Sequence, residues 1–174
     1  MPENHHIPEI SLQLVEELDG QPPDQCLAQF KEHQKPLYEV LQADTAKNYP
    51  DEVPQHAVMQ SLGFIHTALD TSFVRRGTDR WGLSDVKRVP PIPKEALAED
   101  ITQIYATTRQ DDLVAYFTAR QENDVLSRQV DWMLMRHPLG SGGRYRVHMI
   151  GGMMLSLYES SVERLLQERY LNPG

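Results

Sequence analysis

Apolar residues recur every three or four positions along most of this chain, the period of helices with one buried face. The pattern is clearest from Pro54 to Arg76, where Val58, Leu62, Ile65, Leu69 and Phe73 form one stripe and predict an amphipathic helix. Upstream, Ile10, Leu14 and Leu18 predict a helix over Pro8–Leu18, although Ile10, Leu12 and Leu14 also alternate as a short strand would. Leu27, Phe30, Leu37 and Leu41 predict a helical segment from Pro23 to Asn48. Pro36 should divide or kink it, because proline removes a backbone donor and restricts the residue before it.

Downstream, Pro93-Lys94-Glu95 opens a helix with proline and acid where a first turn favours them, and Leu97, Ile101, Ile104 and Thr108 supply its buried face. A further helix is expected from about Asp111 to Arg136, with Tyr116, Ala119, Leu126, Val130 and Met133 in register and a polar centre, Gln121-Glu122-Asn123-Asp124, that invites a break. Pro138 and the glycines at 140, 142 and 143 end it, and a last helix runs from about Arg144 to Leu171. The expectation is an all-α fold, a helical bundle of five to six helices with one long basic loop (77–93) and a Gly-rich hairpin turn (138–143). No internal repeat or low-complexity tract interrupts it.

The 174 residues suit a single helical domain, 1–174, with residues 1–7 expected to be a flexible tail. Net charge changes the picture through its distribution. Residues 1–54 carry 3 Lys plus Arg against 11 Asp plus Glu, whereas 55–110 carry 7 against 6 and 111–174 carry 7 against 8. The whole excess of −8 therefore lies in the first third, which suits a solvated acidic face or a basic partner. One cysteine, Cys26, excludes an intrachain disulfide and fits a reducing compartment. The N-terminal residues lack the pattern of a signal peptide, and no apolar stretch approaches the length of a membrane span. The expected location is cytoplasmic, with no membrane contact.

Candidate chemistry is sparse. The Glu-x-x-His pattern of carboxylate-bridged metal sites occurs only at Glu3-Asn4-His5-His6, no His-x-x-x-His pair exists, and neither metal nor cofactor is expected. His66 lies on the apolar side of its helix, where a core histidine with one hydrogen bond is the usual occupant. Ser141 and His148 lack a third orienting group, so no catalytic residue is assigned.

Three binding surfaces are expected instead. The loop region offers Arg75, Arg76, Arg80, Lys87 and Arg88 around Trp81, a set suited to a protein or small-ligand contact. Nucleic acid is not favoured as its partner, because the chain lacks a broad basic face. Arg144 and Arg146 follow glycines at a helix start, an arrangement that could hold an anionic small molecule. Gly152, Ser156 and Ser160 repeat every four residues and leave one helix side narrow, open to close packing within the chain or to self-association. Together these features point to a homo-oligomeric interaction or assembly protein. The alternative is a small-ligand or anion-binding protein, catalytic or not, with a site framed by Arg144, Arg146 and the 75–88 loop, and an accessory nucleic-acid contact through the loop is the third reading.

Overall fold

The computed structural model describes residues 5–171, and these form an all-α bundle. Its eight α-helices among the described residues are α1 (Leu12–Asp19), α2 (Pro23–His33), α3 (Lys35–Asn48), α4 (Glu52–Ser72), α5 (Lys94–Thr107), α6 (Gln110–Ala119), α7 (Val125–Leu134) and α8 (Gly140–Leu166). The count exceeds the expected five to six because two long segments are each divided. Gln34, at φ −132° and ψ 55°, separates α2 from α3 and leaves Pro36 in the first turn of α3, where its missing N–H is harmless. Asn123 and Asp124 both adopt left-handed conformations and separate α6 from α7, and Asn and Asp are the non-glycine residues that tolerate this best.

Helix α4 is the axis of the bundle. It is buried on nearly every side from Ala57 to Asp70, because α2, α3, α1, α7 and α8 all pack on it. Helix α8 is the second long buried element, lying against α6 and α4 with Val147, Ile150, Met154, Tyr158 and Val162 in the core. The methionines divide accordingly: Met149, Met153 and Met154 fill the core, whereas Met135 is exposed. No helix among the described residues is long and apolar enough to cross a membrane.

The N-terminal segment is not the free tail expected. Residues 1–4 lie outside the described residues, but His6 and Ile7 are buried. The carboxylate of Glu159 in α8 accepts hydrogen bonds from the backbone N–H groups of both, and Arg120 donates to Glu159 at 2.9 Å and to the carbonyl of Ile7. Further along, Ile10 donates to the carbonyl of Arg120 and accepts from Glu122 N–H, a lone extended bridge that joins the strap to the α6–α7 junction. Helix α1 therefore starts at Leu12, with Ser11 as its cap, and not at Pro8.

The glycine-rich stretch also differs from expectation. Gly140 takes φ 68° and begins α8, so Ser141, Gly142 and Gly143 belong to its first turn and the reversal itself occupies residues 135–139. Beyond α4, a π-helical turn (Phe73–Gly77) and a short 3-10 turn (Asp79–Trp81) lead into an extended crossing to Pro93. That crossing is packed: Leu83, Val89 and Ile92 are fully buried.

Two replacements test this packing. A Cβ at Gly152 would lie 2.0 Å from the carbonyl oxygen of Leu113, so Gly152→Ala is expected to destabilise the fold by roughly 2–3 kcal/mol. Glu159→Ala leaves the mostly covered guanidinium of Arg120 without its counter-ion and the His6 and Ile7 N–H groups without their acceptor, and should lower stability by about 3 kcal/mol. Both are read from the midpoint and slope of urea unfolding, and wild-type midpoints would refute the two contacts.

Candidate functional site

A polar cluster lies inside the bundle where α2, α4, α8 and the 82–93 crossing meet. His66 is fully buried on α4; its Nδ1 is 2.6 Å from the Tyr158 hydroxyl on α8, and its Nε2 is 3.1 Å from Nδ1 of His33 at the end of α2. Phe30 stacks on the imidazole of His66 at 5.3 Å and fixes its plane. One helical turn beyond His66, Asp70 points to the same region and accepts a 2.7 Å hydrogen bond from Val89 N–H. Among the described residues, His33, His66 and Asp70 are the one set that brings three metal-ligand atoms within 4.8 Å of one another.

Burial sets the proton affinities here. Desolvation, aided by the neighbouring His33 and Arg88, pushes His66 down to about 3, so it is neutral at physiological pH. Desolvation also lifts the Asp70 carboxyl to about 6, against the opposing pull of the Val89 N–H and of Arg88. His33 is lowered too, chiefly by its partial burial, and Tyr158 is raised well above the ordinary phenol range by complete burial.

The crossing is fastened over this cluster by side chains next to it. Gln34 donates to the Pro90 carbonyl at 3.2 Å and accepts from Ile92 N–H at 3.0 Å, while Ser161 donates to the Pro90 carbonyl at 2.6 Å. The expected basic loop is therefore largely an internal strap, which changes the standing of its residues. Arg75 is paired with Glu17 on α1. Trp81 is half-buried, meets the His6 ring edge-on at 4.9 Å and is covered by Arg80. Arg76, Lys87 and Arg88 are exposed, and no ion pair engages them among the described residues.

The other expected sites are separated in the same way. Nη2 of Arg146 donates to both carboxylate oxygens of Asp44 on α3, at 2.7 and 2.8 Å, so Arg146 is already engaged within the chain and not free to share a ligand with Arg144. Arg144 instead borders a groove with Ser141, Tyr145 and His148. Both ring nitrogens of His148 face backbone carbonyls, of Arg144 and Ser127, which leaves neither to activate Ser141. Gly152 lies beneath Leu113 of α6, so the narrow side of α8 is used within the chain; Ser156 is half-buried and Ser160 exposed beyond that contact.

An apolar face not anticipated from sequence lies between α1 and α7. Leu12, Val15, Val125 and Trp132 line a groove there, bordered by Glu16 and Asp19 on α1 and by Arg128 and Gln129 on α7. Leu12 is 40%, Trp132 54% and Met135 67% exposed, and Arg136 stacks on the Trp132 ring at 4.7 Å. The sequence does carry signals for what was missed. His66-x-x-x-Asp70 is a same-face pair on one helix, but its third member, His33, is supplied by tertiary packing alone. Trp132 falls one position before the apolar register of Val130 and Met133 and so points elsewhere.

The two principal shifts in the cluster have opposite effects on stability. Asp70, raised from 3.8 to about 6, contributes stability below about pH 4 that is lost as pH rises to 6; His66, lowered from 6.5 to about 3, contributes stability above 6.5 that is lost as pH falls to 3. In metal-free buffer Asp70→Asn should therefore gain stability relative to wild type between pH 4 and 6, by an amount on the order of 3 kcal/mol. Urea unfolding across that range checks it, and a constant difference would show that burial does not raise the Asp70 carboxyl. Comparison with protein-family models, with curated proteins and with solved structures finds no match for this chain.

Proposed function

We propose that this chain is a non-catalytic interaction and assembly protein that pairs with a second copy of itself through the α1–α7 face. The observation that carries this reading is the exposed Trp132, which lines one groove with the exposed Leu12. Tryptophan and arginine are the residue types that dominate binding energy at protein contacts, and Arg136 already holds the Trp132 ring in place.

Charge supports a second copy as the occupant. Glu16 and Asp19 lie on the α1 side of the groove and Arg128 on the α7 side. A two-fold axis through the groove would set the acidic side of one copy against the basic side of the other, with the Trp132 residues between them. This moves self-association from the Gly152–Ser160 side of α8, where α6 already occupies Gly152, to a surface with no intrachain cover. Anion binding at Arg144 and Arg146 has less support because Asp44 neutralises Arg146. A nucleic-acid contact is weakened by the engagement of Arg75 with Glu17.

Light scattering on the purified chain is expected to give a dimer mass at high concentration. Trp132→Glu should convert it to a monomer with an unchanged circular dichroism spectrum, and Arg128→Glu should weaken the dimer in a salt-dependent way. A monomer at all concentrations, or a dimer indifferent to Trp132→Glu, would overturn the reading.

A further inference from the structure

The buried cluster contains more polar chemistry than packing needs. A buried imidazole, a half-buried imidazole and a carboxylate converge at the edge of the core, where each unpaired polar atom is costly, and of the three only the carboxylate has a backbone N–H to satisfy. We propose that His33, His66 and Asp70 form a binding site for one divalent first-row transition metal ion, with Zn²⁺ as the best-matched ion.

The geometry supports this in four respects. First, His66 Nε2 and His33 Nδ1 are 3.1 Å apart, close to the roughly 3.3 Å that separates two nitrogens on a tetrahedral Zn²⁺ with bonds of about 2.0 Å. Second, the remaining nitrogen of His66 is held by the Tyr158 hydroxyl, so its Nε2 lone pair faces His33 once the proton resides on Nδ1. Such a hydrogen bond on the far nitrogen is the usual support for a metal-binding imidazole. Third, Asp70 is oriented through one oxygen by Val89 N–H, while its carboxylate lies within 4.8 Å of both imidazoles; a small side-chain adjustment brings it to bonding distance. Fourth, two imidazoles with one carboxylate form a donor set that suits Zn²⁺, and three protein ligands leave its fourth position for water.

Arg88 is the opposing group, since its positive charge acts on all three ligands. It is exposed, so solvent screens it, and the Asp70 carboxylate offsets part of the ion's charge within the core. In the metal-free state the His33–His66 hydrogen bond satisfies the two facing nitrogens, which explains how the cluster persists without an ion.

Metal and crossing are linked, because Asp70 holds Val89 and His33 adjoins Gln34, which holds Pro90 and Ile92. Loading the site would therefore tighten the 86–92 segment.

The test is equilibrium dialysis of the chelator-stripped full chain against Zn²⁺, with metal content measured directly, and hydrogen exchange followed at residues 86–92. One Zn²⁺ per chain is expected, with slower exchange of the Val89 and Ile92 amides. His33→Ala, at a partly exposed position, and Asp70→Asn, which keeps the acceptor for Val89, should each weaken binding at least tenfold while the circular dichroism spectrum is retained. Tyr158→Phe should weaken it by about 10- to 100-fold as a loss of orienting support. His56→Ala should leave binding unchanged, since His56 lies on the surface with Asp24. No uptake by the wild-type chain would overturn the site, as would a stoichiometric ion indifferent to both His33→Ala and Asp70→Asn.

Discussion

The Glu159 carboxylate organises the contact between the start of the chain and its last long helix. It is buried on α8, and an isolated buried carboxylate would be expensive to hold ionised. Arg120 and the backbone N–H groups of His6 and Ile7 converge on it, so one anion joins α8, the end of α6 and the N-terminal strap. The dependence extends outward. Arg120 also receives Ile10 N–H at its carbonyl, which sets where α1 begins, and His6 presents the ring against which Trp81 lies. Removing the charge would therefore disturb the N-terminal strap together with α6 and α8, which also pack directly on each other.

Close helix contact imposes a second constraint, expressed at two glycines. Gly63 of α4 lies against the backbone of α2 at Cys26 and Leu27, and Gly152 of α8 lies against the backbone of α6 at Leu113. These contacts draw α2 and α6 onto the two central helices and close the bundle tightly. They also position the polar cluster, because His33 at the end of α2 reaches His66 only when α2 and α4 cross this closely.

Helical periodicity made the central helices legible in advance: the stripe from Val58 to Phe73 is buried throughout, and the polar break at 121–124 is where α6 and α7 part. The crossing from Leu83 to Ile92 is harder to read because charged residues separate Leu83, Val86, Val89 and Ile92, which recur every three positions and hold it to the core. Basic composition indicated an exposed surface, yet burying Leu83, Val89 and Ile92 outweighs the freedom of a few arginines that remain in water. The N-terminal strap was illegible for another reason. Its anchor, Glu159, is 153 residues from His6, and an acid in a helix ordinarily reads as a solvent-facing residue.

The polar interior and the apolar surface both arise where regular helices meet irregular chain. The α1–α7 face is open because α1 is only two turns long and leaves Trp132 of α7 more than half exposed. The His33–His66–Asp70 cluster sits at the opposite kind of junction, where α2 ends, α4 continues and an extended segment must find partners for its backbone groups. Asp70, Gln34 and Ser161 supply those partners, since an extended crossing has no ladder of its own. Satisfying that backbone required polar side chains deep in the bundle, and once Asp70 was placed beside His66 the interior acquired a set of groups able to do more than pack. The surface face and the interior cluster thus differ in origin: one depends on apolar area left uncovered, the other on polar side chains gathered where an irregular segment needs backbone partners.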